Sequence, residues 1–167
     1  MGVPKVFCHN DLVEIAAKYL RRYCVVVATE VVCGRETADA IGWQMNGVST
    51  IIECKVTRSD FKLDAKKFFR NHLPDLGMGM FRYYLAPKGL LKREEMPEGW
   101  RLLEVDSRGF VMHCMNKPVE KCNCKAEITC LLSVLRRLPA KIDGVSIRHY
   151  TYYQSKTKAA IWIGNEQ

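Results

Sequence analysis

The chain has 167 residues, 48% of them hydrophobic, which is enough for one domain with a real core and too apolar for a disordered chain. Its apolar runs are only a few residues long, far below the ~20 that a membrane span needs. Nothing after Met1-Gly2-Val3-Pro4-Lys5 reads as a signal segment, so a cytoplasmic protein without membrane contact is expected. Twenty-six Lys and Arg against 18 Asp and Glu give a formal charge of +8, which permits a polyanionic partner without requiring one.

In chain order, Asn10 to Arg22 has helical periodicity, with Leu12, Ile15, Ala16, Tyr19 and Leu20 on one face. Asp11 and Glu14 read as a capping-box pair at its start. Cys24 to Val32 is rich in β-branched residues and predicts a strand. Ala38 to Gln44 and Ser49 to Val56 predict two more, joined at Asn46-Gly47. Ser59 caps a predicted helix running to about Arg70, with Phe61, Ala65, Phe68 and Phe69 inward.

Met80 to Ala86 predicts a strand parallel to Ser49–Val56, since a helix intervenes and such crossovers are right-handed. A helical turn over Leu91 to Glu95 and a hairpin from Trp100–Val105 and Phe110–Cys114 follow. Lys125 to Leu138 returns to helix, through Ile128, Leu131, Leu132 and Leu135. Val145–Tyr153 and Ala159–Ile163 have strand character. The fold class expected is α/β (α+β), a mixed central sheet flanked by helices, in a single domain spanning 1–167.

Without a signal segment, the eight cysteines are expected as buried thiols rather than disulfides. Cys114, Cys122, Cys124 and Cys130, with His113, offer zinc-ligand chemistry. However, Cys122-Asn123-Cys124 is tighter than the usual knuckle and no second knuckle follows.

Glu53 and Lys55 are two apart on a strand and share a face with Ile51, while Ile52, Cys54 and Val56 take the other. Charged side chains there are costly without partners. A two-residue Asn46-Gly47 turn puts Asp39 opposite Cys54, on the wrong face. A three-residue loop, Met45-Asn46-Gly47, pairs Gln44 with Val48, sets Asp39 opposite Glu53, and gives Gly47 the left-handed position; this register is the expectation. Asp39 and Glu53 can then hold Mg²⁺ with the Cys54 backbone carbonyl and waters. Lys55 would orient an attacking water or stabilise transition-state charge.

Asp39, Glu53 and Lys55 resemble the aspartate, second acid and lysine of the PD-(D/E)XK nuclease superfamily, on the strand pair where that family keeps them. The likeness runs from about Asn10 to Ala86, half the chain, and Ala38 stands where a proline usually precedes the aspartate. It implies a restriction-endonuclease-like core over about 10–115, with the helix and strands of 123–167 packed on it. It also implies Mg²⁺- (or Mn²⁺-) dependent phosphodiester hydrolysis, with DNA as the expected substrate and RNA left open. Some members of the family have lost catalysis, so a catalytically silent nucleic-acid-binding module is the alternative. Many members place an acid on the first helix near the metal; Glu14 is the candidate here, although capping explains it equally well.

For nucleic-acid contact, the helix start near Arg58 and Ser59 suits a phosphate. Lys62, Lys66 and Arg70 recur at four-residue spacing, with Lys67 alongside. Arg82 is a candidate on the next strand. A homodimer would allow both strands of a duplex to be cut, though no residue pattern requires one.

Overall fold

Helix α1, His9–Leu20, buries Leu12, Val13, Ala16, Ala17, Tyr19 and Leu20 along one flank. The computed structural model describes residues 6–33, 36–67, 73–112, 114, 117–138, 141–142, 145–146 and 161–163. The α1 cap differs from the expected Asp11–Glu14 pair. Asp11 Oδ2 accepts a hydrogen bond from the Cys8 backbone N–H at 2.8 Å, so the box closes one turn earlier.

Strands β1 (Val26–Cys33), β2 (Glu36–Trp43) and β3 (Ser49–Cys54) follow. Helix α2 (Arg58–Ala65) then crosses to β4 (Phe81–Pro87). After β4 come β5 (Trp100–Val105), β6 (Val111–Met112) and α3 (Cys124–Leu135). Lys141–Ile142 (β7) and Val145–Ser146 (β8) pair with each other, and Ile161–Ile163 (β9) joins the main sheet. The expected tail strand beyond Ser146, and Phe68, Phe69 and Arg70, fall outside the described residues.

The main sheet has the order β6-β5-β4-β3-β2-β1-β9. Strands β3, β4 and β5 run parallel, and the remaining neighbours are antiparallel. The fold class is therefore the expected one, a mixed sheet with helices packed on it. Ile52, Cys54, Leu85 and Leu103 pack beneath α1. On the opposite face Ile51, Tyr84, Trp100 and Leu102 pack with Phe61 of α2 and with Cys130 and Val134 of α3. Alternate residues of each central strand thus feed two apolar layers, as a sheet covered on both faces requires.

Helix α3 departs from its predicted orientation. Glu127, Cys130 and Val134 face inward, whereas Ile128, Leu132 and Leu135 are exposed. Glu127 turns in because its carboxylate accepts the buried Gly79 N–H at 2.8 Å. Cys130 is disulfide-bonded, which corrects both the expectation of thiols throughout and its candidacy as a zinc ligand. Cys8, Cys24, Cys54, Cys114, Cys122 and Cys124 are free thiols, as expected. No helix among the described residues is long and apolar enough to cross a membrane.

Candidate active site

The β2–β3 hairpin sets the geometry. Trp43 pairs with Ser49 and Ala40 with Ile52, and the Gln44 N–H donates to the Val48 carbonyl at 2.8 Å. The loop is the three-residue Met45-Asn46-Gly47, with Gly47 at φ 83°. Continuing that register places Asp39 opposite Glu53.

Beyond Ala40 the ladder gives way. In this register Cys54 N–H would donate to the Ala38 carbonyl; instead it donates to Asp39 Oδ2 at 2.7 Å. A side-chain carboxylate therefore replaces a ladder carbonyl where β2 and β3 part. Ala38 and Ala40, which would share a face in a regular strand, sit in opposite apolar layers. The neighbouring strand is distorted at the same level. Glu30, flanked by Thr29 opposite Ala40 and Val31 opposite Ala38, has φ 50°, a conformation rare for a residue with a Cβ.

Glu53 and Lys55 share the α2 face and are 2% and 6% exposed. Lys55 Nζ lies 3.5 Å from Glu53 Oε2 and 3.8 Å from Asp64 Oδ1. Asp64, on the last turn of α2 and 3% exposed, accepts a hydrogen bond from the Tyr84 hydroxyl at 2.7 Å. Its Oδ1 also meets Lys67 Nζ at 2.5 Å. On the outer side, His9 Nε2 at the start of α1 is 3.6 Å from Asp39 Oδ1. Two carboxylates, Glu53 and Asp64, thus lie within 4 Å of one buried ammonium, which Asp39 also influences electrostatically, with Lys67 beside Asp64 and His9 beside Asp39.

Burial raises the Asp39 pKa above its ordinary 3.8, against the opposing pull of the Cys54 N–H, Lys55 and His9; Asp64 raises it further. For Lys55, burial acts to lower the pKa, but Glu53, Asp64, Asp39 and Asp60 outweigh it and hold the ammonium above its usual 10.5. Lys55 is therefore a permanent positive charge and cannot serve as a base near neutral pH. Burial, then Asp39 and Glu53, push the Cys54 thiol well above its usual range, which leaves it inert.

The structure brings Lys55 to Glu53 and Asp64, with Tyr84 on Asp64, and sets Asp39 on the adjoining strand against the Cys54 N–H and His9. Asp64 had a partial signal, since it lies three residues after the buried Phe61 on a helix. Tyr84 was legible as a neighbour of Glu53, with which it pairs. His9 carried no spacing signal. Glu14 is exposed on α1, and it is His9 that approaches Asp39.

Arg82 is corrected. It is 2% exposed, and its guanidinium donates to the Gly79 and Gly77 carbonyls at 2.9 and 2.8 Å, clamping the loop before β4. Arg58 is held by the Leu90 carbonyl at 3.0 Å and by Glu95. The α2 cap is Thr57, whose hydroxyl accepts from Asp60 N–H at 3.2 Å and lies 3.0 Å from Ser59 Oγ, so Ser59 is not the cap. Lys62 and Lys66 are exposed on the outer face of α2.

Asp39 and Glu53 offer hard oxygen ligands and the adjacent Cys54 thiol faces the opposite apolar layer, which favours Mg²⁺ or Mn²⁺ over zinc. Among the described residues no three His, Cys, Asp or Glu side chains group closely enough to hold an ion by themselves. That is compatible with Mg²⁺, which commonly takes one or two carboxylates and fills its remaining positions with water and substrate phosphate.

No protein-family model matches the chain, and no curated protein matches it. Among solved structures, that of SPO1766, a protein of unknown function from Silicibacter pomeroyi, is similar, with a TM-score of 0.57 and 22% identity. The likeness covers 77% of this chain and 87% of that one, and it is a likeness of fold.

Proposed function

We propose that this chain is a metal-dependent endonuclease with a restriction-endonuclease-like core, hydrolysing phosphodiester bonds in DNA. The observation that carries the reading is the parting of β2 and β3, where Asp39 takes the Cys54 N–H and the residues flanking Cys54, Glu53 and Lys55, are buried as an ion pair. Burying such groups is unfavourable for folding alone, and enrichment of perturbed titratable groups is a mark of functional sites.

Asp39, Glu53 and the Cys54 carbonyl would hold Mg²⁺ or Mn²⁺, which when bound lowers the pKa of a water and neutralises phosphate charge. Lys55 keeps its proton and places a fixed positive charge against the phosphate oxygens, where negative charge grows in the transition state. Asp64 holds Lys55 from the α2 side, and Tyr84 holds Asp64. The +8 charge favours association with the polyanion.

The test is incubation with plasmid, single-stranded DNA and RNA in Mg²⁺, Mn²⁺ or EDTA. Cutting should require the ion and be abolished by Asp39→Asn and by Lys55→Met, while binding in EDTA persists. Cutting by both variants at the wild-type rate would overturn the assignment. Binding without any cutting by the wild type would leave the silent module of the same fold.

A further inference from the structure

A shallow groove of about 200 Å³ runs between the outer flank of α1 and the turn that follows β5. It is lined by Lys18, Tyr19 and Arg22 on one side and by Arg108, Phe110 and Val111 on the other. Phe110 is 64% exposed, while Phe7 and Phe61 are buried.

The ring is held in place. Asp106 Oδ1 accepts from the backbone N–H groups of Arg108 and Phe110, both at 2.9 Å, and Gly109 takes φ 86° to close the turn. Asp106 Oδ2 accepts from Arg108 Nε at 3.2 Å and Nη2 at 3.1 Å, which fixes the guanidinium 5.5 Å from the Phe110 ring centre. Across the groove, Lys18 and Arg22 enter no ion pair with a described residue, and Arg22 lies over the Tyr19 ring at 5.8 Å.

We infer that this groove binds single-stranded nucleic acid, with one unpaired base stacked on Phe110 and the flanking phosphates met by Lys18, Arg22 and Arg108. An exposed ring on a pinned turn, facing the Lys18 and Arg22 cations and with the Asp106-paired Arg108 beside it, is the chemistry that single-strand binders use, since every base has a π-face and every linkage a charge. The volume is below that of a drug-sized pocket, in keeping with a single ring. A membrane surface fits less well, because the apolar face of α1 is buried in the core and Phe110 lines a concavity. The turn carrying Arg108 leaves β5 at the sheet edge where Lys55 leaves β3, since β3, β4 and β5 are parallel.

This inference takes its partner class from the nuclease reading, and its test is independent of cutting. Fluorescence anisotropy in EDTA would follow the full chain binding labelled oligo(dT), oligo(rU), a blunt duplex and phosphatidylserine vesicles. Single strands should bind more tightly than the duplex, and the two single-strand arms decide between DNA and RNA. Phe110→Ala should weaken single-strand binding by about 5- to 150-fold, the equivalent of one stacked base. Lys18→Glu with Arg22→Glu should flatten the log–log salt dependence by about 0.7 per phosphate lost. Phe110→Trp should add indole fluorescence that oligo(dT) quenches. Equal binding by Phe110→Ala and wild type, or Phe110-dependent binding to vesicles alone, would overturn the groove. Stacking on Phe110 in a protein that never cuts would sink the nuclease reading and leave the groove standing.

Discussion

At the scale of single residues, Asp39 is under opposed forces. Burial pushes its pKa above 3.8, and the Cys54 N–H, Lys55 and His9 pull against that push. A carboxyl whose folded pKa is raised keeps its proton longer when folded, so its stabilising contribution is complete below pH 3.8 and disappears as pH rises through the elevated value. In EDTA, the wild-type melting temperature should carry this decline as pH rises above 3.8, and Asp39→Asn, which cannot titrate, should lack it. Superimposable pH profiles for the two proteins would refute the assigned burial effect. Tyr84 allows a second residue-scale test, because its hydroxyl satisfies a buried Asp64 oxygen at 2.7 Å. Tyr84→Phe should cost about 1–3 kcal/mol in denaturant unfolding. With Asp64 less firmly held, Lys55 should shift, and cutting should slow by about 10- to 100-fold with its metal requirement intact. A stability loss with an unchanged rate constant would restrict Tyr84 and Asp64 to a structural role.

At the scale of elements, two glycines separate conformational strain from steric contact. Gly47 has φ 83° with nothing near its missing Cβ, so Gly47→Ala should lower stability by about 1–2 kcal/mol, the cost of the left-handed backbone. Gly79 has φ 85° and a Cβ there would stand 2.5 Å from Ile51 Cγ2, so Gly79→Ala should cost about 2–5 kcal/mol in urea unfolding. Equal losses at the two positions would contradict this ordering. The contrast also explains what could be read beforehand. The hairpin register was legible because Asn46-Gly47 and the parity of Asp39 and Glu53 are local features, and a one-residue slip reverses every side chain. The rotation of α3 was not legible, because Glu127 turns inward for a Gly79 N–H 48 residues away in sequence. Arg82 failed for a similar reason. Its partners are the carbonyls of Gly77 and Gly79, and a backbone acceptor leaves no mark in an amino-acid pattern. Asp64 lay between these cases, as helical spacing set it beside Phe61 but gave no sign of Lys55 or Tyr84 as partners.

At the scale of the whole molecule, charge is unevenly distributed. The chain carries +8, yet Glu53 and Asp64 flank one buried lysine and Asp39 adds its field to theirs. The overall field favours a polyanion and disfavours a free cation, so on the proposed reading the local carboxylates would have to attract the metal against the rest of the protein. A phosphate bound beside them would add ligands and negative charge, and each partner would then strengthen the other. By linkage, the factor by which nucleic acid tightens the metal must equal the factor by which the metal tightens nucleic acid. We therefore expect calorimetric titration of Mn²⁺ into the protein alone to show weak binding, and titration in the presence of a non-cleavable phosphorothioate oligonucleotide to show binding about 10-fold tighter or more. Anisotropy of the same oligonucleotide should tighten by a matching factor when Mn²⁺ is added. Glu53→Gln removes one charged ligand and should abolish the coupling while leaving metal-free oligonucleotide binding near its wild-type value. Equal Mn²⁺ affinity with and without the oligonucleotide would mean that metal and phosphate do not share a site, and the carboxylate cluster could not then be the place where a phosphodiester is cut.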